Sequence, residues 1–243
     1  MSMLRSFVTT TARRLGLEVH SYIPQRSEPA QLVAIFRHLN IGLVLDVGAN
    51  EGQYGKAIRD AGYAGRIVSF EPQTVAHANL MREAAGDTLW SIHSRCAIGA
   101  TDSIAEINVS ENSVSSSLLP MLSKHLETAP TSQYVRRERV PLARLDTIVP
   151  SLDPSRPMFL KIDTQGYEEP VLDGAENILG NVPGIQLEMS LVPLYDGQAL
   201  WEVLLQRLSR AGYKLWALRQ GLVDPVSGRL LQMEGIFVRQ MDS

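Results

Sequence analysis

Two apolar runs that each end in an acidic residue constrain the fold of this chain most. Residues 44–55 have the sequence VLDVGANEGQYG, and residues 67–72 have the sequence IVSFEP. Asp46 lies near the end of the first run, ahead of a glycine-bearing turn, and Glu71 lies near the end of the second. Ligands of a doubly wound α/β sheet bind outside the carboxyl ends of its strands. The two runs therefore predict a nucleoside-type cofactor site whose first strand ends in a negative charge.

Apolar runs alternate with helical patterns along the rest of the chain, which is typical of a mainly parallel sheet. The pattern predicts strands at residues 42–47, 66–70, 89–98, 104–109, 139–142, 158–163, 184–190, 213–219 and 230–239, and helices at 53–61, 72–85, 168–179 and 200–211. The last two strands are joined by the turn formers of DPVSG, so we expect them to be antiparallel. This order predicts an α/β fold: the Rossmann-like, doubly wound sheet of class I methyltransferases, mostly parallel with a C-terminal antiparallel hairpin.

A chain of 243 residues suits one large α/β domain. We predict a methyltransferase domain over residues 41–243, preceded by an N-terminal helical extension over residues 1–40. The arginines and hydroxyls near the N-terminus also fit a transit peptide, but a surface helix is favoured, with Phe7, Val8, Leu15 and Leu17 as its apolar side. Residues 110–136 are rich in serine and contain prolines. A connection of this length is often a lid or a binding loop.

Composition narrows the classes of partner. The formal net charge is −3, which implies no general attraction to nucleic acid. The lone cysteine, Cys96, excludes an internal disulfide and fits a reducing cytoplasm. No apolar run reaches the length of a membrane helix. We therefore expect a cytoplasmic protein that acts on a small-molecule or glycan acceptor and has neither a nucleic-acid partner nor a membrane span. A homodimer is compatible with the sequence.

The glycines of the first turn bear on the kind of cofactor. Gly48 and Gly52 have the spacing G-x-x-x-G, so the dinucleotide fingerprint G-x-G-x-x-G is absent. Asp46 beside them would repel a pyrophosphate by roughly 4 kcal/mol at 4 Å. S-adenosylmethionine (SAM) has no phosphate and carries an ammonium and a sulfonium, so the turn predicts SAM, with S-adenosylhomocysteine as product. The simpler interpretation of Asp46 is a turn or capping residue.

Other positions complete the predicted cofactor site. Glu71 is placed to accept hydrogen bonds from both ribose hydroxyls, as an acidic residue also does in NAD sites. Cys96 and Ala97 follow the third predicted strand and would frame the adenine, although a buried cysteine is more often a small apolar core residue. The remaining predicted cofactor contacts are Asn50, Tyr54, Pro72 and Asp163.

Methylation of an alcohol requires removal of its proton in the transition state. Asp163 and Glu188 are the carboxylates that the predicted strands place near the methyl group. Asp163 could instead cap a helix or hold the ammonium of SAM, and Glu188 could pair with Lys161. No histidines have ligand spacing and no metal site is predicted, although an ion held by Asp163, Glu188 and the substrate is compatible with the sequence. The predicted substrate contacts are Asn112, Ser115, Ser116 and Tyr195.

Five segments of the chain resemble the FkbM family of SAM-dependent O-methyltransferases. These segments are LDVGANEGQYG, VSFEP, FLKIDTQGYEEPVLDGA, QLEMSLVPLYDGQALWE and GRLLQMEGIFVR, within residues 44–239. The resemblance implies methylation of a hydroxyl on a sugar or a polyketide-type metabolite. It assigns Asp46, Gly48, Asn50 and Gly52 to the SAM loop, Glu71 to the ribose and Asp163 to the fourth strand.

The chain departs from the family at two positions. Gln165 stands where the family usually has glutamate, and Glu234 stands where it favours aspartate. The first change removes a charge, so a base or metal-ligand role of that glutamate would be lost or moved. Gln165 therefore leaves open a SAM-binding module with impaired catalysis. A separate alternative is an NAD-dependent sugar-modifying enzyme, because Glu71 alone does not discriminate between the two cofactors.

Overall fold

The protein has the predicted α/β architecture. The computed structural model describes residues 7, 10–16, 27–152 and 156–239. The helices are α1 (Glu28–His38), α2 (Gln53–Asp60), α3 (Thr74–Ala84), α4 (Ser123–Thr128), α5 (Leu145–Ile148), α6 (Glu168–Asp173) and α7 (Trp201–Arg210). The strands are β1 (Leu43–Val47), β2 (Arg66–Phe70), β3 (Trp90–Ile92), β4 (Ala97–Ile98), β5 (Ser103–Ser110), β6 (Tyr134–Ala143), β7 (Met158–Ile162), β8 (Gly184–Ser190), β9 (Tyr213–Gln220) and β10 (Gln232–Arg239).

The main sheet has seven strands in the order β3-β2-β1-β7-β8-β10-β9. β1 lies at its centre and pairs in parallel with β2 and β7. β10 is antiparallel to both β8 and β9. The predicted doubly wound sheet with a C-terminal antiparallel hairpin is therefore confirmed. The carboxyl ends of β1, β2 and β7 lie side by side, which is where the sequence places a ligand.

Apolar layers cover both faces of the main sheet because successive residues of a strand point to opposite faces. Leu43 and Leu45 of β1 belong to one buried cluster, which includes side chains from α5, α6 and α7. Val44 belongs to the other cluster, which includes side chains from α1, α2 and α3. Every residue of β1 is buried, and all of them except Asp46 are apolar, as is typical of a central parallel strand.

A second sheet of three strands, in the order β4-β6-β5, flanks the main one. The single predicted strand at residues 89–98 is wrong: it is divided between β3 in the main sheet and β4 in the second. The predicted helix at residues 168–179 is also too long, because α6 ends at Asp173. There the chain turns at Gly174, where an added Cβ would lie 2.0 Å from the carbonyl oxygen of Gly99.

The N-terminal part departs from the expected packing. Residues 10–14 are helical, but Phe7 is 67% exposed and Leu15 is 72% exposed, so neither packs against the domain. Val8 and Leu17 lie outside the described residues. α1 does pack on the sheet, through Leu32, Val33, Ile35 and Phe36. No helix within the described ranges is long and apolar enough to cross a membrane.

Candidate functional site

A cavity of about 320 Å³ lies at the carboxyl ends of β1, β2 and β7, where the sequence predicts the site. The predicted site residues that line it are Gly48, Asn50, Tyr54, Glu71, Pro72, Cys96, Ala97, Ser116 and Asp163. Gln53, Gln73, Lys161, Gln165 and Glu234 also contribute to its wall. Residues 113–118 of the long connection between β5 and β6 close one side of the cavity. This segment is called the lid below.

The two glycines of the first turn lie where a Cβ atom would make contacts that are too close to neighbouring residues. Gly48 has φ +74°, and a Cβ there would lie 1.8 Å from the backbone oxygen of Asp163. Gly52 has φ +99° and lies outside the cavity wall, and a Cβ there would lie 3.0 Å from Leu80 and 3.2 Å from Trp90. Of these two predicted SAM-loop residues, Gly48 lines the cavity and Gly52 does not. Gly48 lets β1 end against β7, and Gly52 lets α2 begin close to the sheet.

Asp46 lies behind the cavity and does not line it. The residue is fully buried. Its carboxylate forms an ion pair with Lys161 at 3.1 Å and accepts a hydrogen bond from the Ser69 hydroxyl at 3.1 Å. Burial opposes the charge of Lys161, but the carboxylates of Asp46 and Asp163 outweigh it and raise the lysine pKa. Since Lys161 neutralises Asp46, the predicted repulsion of a pyrophosphate by Asp46 loses its basis.

Glu71 is a buried carboxylate in the cavity wall, and only 2% of it is exposed. Its Oε2 accepts a hydrogen bond from the Asn50 backbone N–H at 2.8 Å, and its Oε1 accepts one from the Gln73 backbone N–H at 2.8 Å. Burial raises the pKa of Glu71 to about 7, against the lowering effect of these two bonds. The local fold thus fixes both oxygens of the predicted ribose acid at the end of β2.

Part of the cavity wall is apolar. Phe70, Cys96, Ala97 and Ile98 line it, next to Pro72. Burial raises the pKa of the Cys96 thiol to about 12, so the thiol stays protonated. This agrees with the interpretation of Cys96 as a small apolar residue, and the surface suits a flat aromatic ring.

Three carboxylates lie in one row across the sheet near this cavity: Asp163 after β7, Glu188 in β8 and Glu234 in β10. Glu188 and Glu234 are paired across β8 and β10. The amide of Gln165 donates hydrogen bonds to Asp163 at 2.9 Å and to Glu188 at 2.7 Å. Gln232 donates a further bond to Glu188 at 2.9 Å.

Glu188 does not line the cavity, which corrects its predicted position beside the methyl group. Two side-chain amides occupy one of its oxygens, and Gln165 lies between it and Asp163. Burial and the neighbouring carboxylate of Asp163 raise the pKa of Glu188. The alternative pairing of Glu188 with Lys161 is also absent among the described residues, because Lys161 pairs with Asp46 and, at 3.8 Å, with Asp163.

Within residues 27–152 and 156–239, no group of three or more histidine, cysteine, aspartate or glutamate side chains could hold a metal ion. The side-chain amides described above occupy the space between the carboxylates. Gln186 extends this arrangement, because it donates to Glu234 at 2.7 Å and accepts from Tyr54 at 3.2 Å.

Of the four predicted substrate contacts, one lines the cavity and three do not. Ser116 lines the cavity, but Asn112 and Ser115 hydrogen-bond to each other at 3.1 Å and lie away from the cavity wall. Tyr195 is 1% exposed, so it has no free face for a sugar ring, and this prediction is wrong. Its hydroxyl donates to Gln165 at 2.8 Å, which supports the amide that bonds the two carboxylates.

Sequence reasoning missed Gln73, Lys161 and Glu234 as members of the cavity wall. Glu234 was noted only as a departure from the family, since the register of the final hairpin against β8 is not readable from the chain. A signal for Lys161 was available, because lysine in the apolar run MFLKI needs a buried partner. Gln73 carried no comparable signal.

Comparisons with known proteins bear on the fold and on the family. A structure from Thermobifida fusca, described as a methyltransferase, matches at 12% identity over 90% of this chain and 81% of its own, with a TM-score of 0.50. An rRNA methylase from Streptococcus thermophilus matches at 12% identity over 92% of this chain and 100% of its own, with a TM-score of 0.48. A search of curated proteins found no match. The methyltransferase FkbM domain matches residues 46–215, and the chain therefore belongs to the FkbM methyltransferase family.

Proposed function

We propose that this methyltransferase uses SAM and transfers its methyl group to a hydroxyl of a sugar, a glycolipid or a polyketide-type metabolite. The observation that carries the proposal is the position of Glu71, a buried carboxylate in the wall of the cavity at the end of β2. A carboxylate there can accept hydrogen bonds from both hydroxyls of a ribose. We further propose a cytoplasmic location, which the lone cysteine supports.

The residues present fit an adenosyl cofactor with a cationic tail. The apolar wall that contains Cys96 and Ala97 suits adenine, and Glu71 suits the ribose. Asp163 lines the cavity, and its side chain is 39% exposed, so its carboxylate can face an ammonium or a sulfonium. When bound, SAM would supply an electrophilic methyl carbon.

The acceptor side is polar. The lid contributes Ser113, Ser116 and Ser117 to the wall, and these hydroxyls suit a ligand rich in hydroxyl groups. An alcohol loses its proton as its oxygen attacks carbon, so a carboxylate of the wall must accept that proton. Of the two bases that the sequence predicts, Asp163 lines the cavity and Glu188 does not.

The test is methyl transfer from radiolabelled SAM to a panel of free sugars, glycolipids and hydroxylated polyketides. We expect label on a hydroxyl oxygen, and a lower rate for Asp163→Asn because its carboxylate would face the cationic part of the cofactor. Glu202→Gln is the matched control because Glu202 is exposed on α7, away from the cavity. Label on a nitrogen or carbon acceptor, or binding of NAD in place of SAM, would contradict the proposal.

Gln165 favours a second candidate function, a SAM-binding module without turnover. Its amide donates to both Asp163 and Glu188, which leaves these carboxylates less free to accept a proton. This alternative predicts SAM binding without transfer by the wild-type protein, and transfer after Gln165→Glu. Transfer by the wild-type protein would exclude it.

A further inference from the structure

Glu234 has a different environment from the other two carboxylates of the row. It lines the cavity, as Asp163 does and Glu188 does not. Its Oε2 accepts one hydrogen bond, from Gln186 at 2.7 Å. Among residues 27–152 and 156–239, the structure gives no hydrogen bond to its Oε1, and this oxygen is not among the buried atoms that lack a partner. Glu234 therefore has an oxygen available to a ligand.

Gln186 fixes the orientation of this carboxylate. The Gln186 oxygen accepts a hydrogen bond from Tyr54, which fixes the direction of the amide. The amide nitrogen therefore points to Glu234 and holds Oε2. A base held in this way by a supporting hydrogen bond is preorganised for proton transfer. Asp163, in contrast, shares the amide of Gln165 with Glu188 and lies 3.8 Å from Lys161.

The charged groups around Glu234 come from three other strands of the main sheet, β7, β8 and β9. Asp163 and Lys161 belong to β7 and its end, Glu188 is its partner on β8, and Arg219 is its partner on β9. Burial and the carboxylate of Asp163 raise the pKa of Glu234, while Arg219 and Lys161 act in the opposite direction. A carboxylate with a raised pKa binds a proton more readily, which suits a base that works near neutral pH.

We propose that Glu234 is the general base of the methyl transfer and faces the transferring methyl group. This inference rests on the proposed function. The acceptor oxygen forms a bond to the methyl carbon as the carbon–sulfur bond breaks, and the electron pair of that bond stays on sulfur. That electron pair would leave the sulfur as a neutral thioether, while Glu234 accepts the hydroxyl proton on Oε1 and becomes a carboxylic acid. Asp163 then serves the cationic tail of the cofactor.

The first test needs no acceptor. It compares the dissociation constants of S-adenosylhomocysteine and sinefungin, an analogue with an amine-bearing carbon in place of the methyl-bearing sulfur, by calorimetry. The amine of sinefungin occupies the position of the methyl group. We therefore expect Glu234→Gln to weaken the binding of sinefungin about tenfold relative to the binding of S-adenosylhomocysteine, because a charge-assisted hydrogen bond is lost. Glu202→Gln is the baseline control.

The comparison variant is Glu188→Gln, whose side chain lies in the same row but outside the cavity wall. An affinity ratio that changes in Glu188→Gln and not in Glu234→Gln would overturn the inference. Binding of neither ligand by the wild-type protein would instead contradict the proposed function itself. Circular dichroism of each variant separates loss of folding from loss of the contact.

The second test uses an acceptor identified from the panel described above. We expect Glu234→Gln to lower the transfer rate by about 10²-fold or more while the affinity for S-adenosylhomocysteine changes little. In the wild-type protein the rate should rise with pH through the pKa of Glu234 and then level off, because only the ionised carboxylate accepts a proton. A Glu234→Gln variant that keeps the wild-type rate would overturn the inference.

Discussion

At the residue scale, the ion pair of Asp46 and Lys161 shows how a motif residue can serve the site without touching its ligand. Lys161 reaches Asp46 at 3.1 Å and also donates to the backbone oxygen of Gly48 at 2.9 Å. The pair therefore ties β7 to the end of β1, directly under the cavity. Tyr54 covers the lysine, with its ring centroid 5.4 Å from the Nζ atom.

Substitution of Asp46 should destabilise the fold rather than weaken cofactor contacts alone. Removing one partner of a buried ion pair leaves the other charge uncompensated and costs about 3–5 kcal/mol. We expect Asp46→Asn to lower the free energy of unfolding, measured by urea denaturation, by that amount.

Asp60→Asn is the matched control, because Asp60 is exposed and lies at 4.0 Å from Lys56. Its effect should stay below about 1 kcal/mol. An Asp46→Asn protein as stable as the wild type, but unable to bind S-adenosylhomocysteine, would show that Asp46 contacts the cofactor after all.

At the element scale, hydrogen bonds hold the lid against the ends of two strands. The Gln73 side chain donates to the backbone oxygen of Ser113 at 3.1 Å and accepts from Ser116 at 3.0 Å. Asn50 contacts the Ser113 hydroxyl at 3.1 Å, and Ser117 donates to the backbone oxygen of Gln165 at 2.7 Å. The residues that flank Glu71 and Asp163 therefore also close the cavity.

Weakening this contact should speed the release of the cofactor product. The Gln73→Ala variant loses two side-chain hydrogen bonds, each worth about 0.5–1.5 kcal/mol, but keeps the backbone N–H that binds Glu71. We expect S-adenosylhomocysteine to dissociate roughly tenfold faster in stopped-flow displacement. Gln206→Ala on the exposed face of α7 is the control, and equal release rates in the two variants would show that the lid need not open.

The elements differ in how much of them the sequence predicts. The strands and the final hairpin follow from apolar runs and local turn formers, so they could be predicted. The division of residues 89–98 between two sheets could not, because it depends on pairing with β6, which lies far along the chain. Distant contacts also explain why Glu188 was assigned to the site and Glu234 was not. Which of the two carboxylates faces the cavity depends on packing against α2 and Gln165.

At the scale of the whole molecule, the cavity lies where three parallel strands end, and the fold supplies its charge. Burial raises the pKa of Glu71 from 4.5 to about 7. Between these two pH values the folded protein keeps a proton on Glu71 that the unfolded chain has released. The folded pKa lies above the unfolded one, so this group favours folding at low pH. That contribution is lost as the pH rises to about 7. Ribose hydroxyls donate hydrogen bonds to the ionised form, so ligand binding should favour the carboxylate.

The central claim is that this cavity is a SAM site built around Glu71. A calorimetric titration with S-adenosylhomocysteine between pH 5.5 and 8.5 tests this claim most directly. We expect one site per chain and an affinity that rises with pH up to about 7 and then levels off. Glu71→Gln should bind at least tenfold more weakly and lose most of this pH dependence, whereas Glu202→Gln should match the wild type. No binding by the wild-type protein, or an unchanged affinity and pH dependence in Glu71→Gln, would contradict the account.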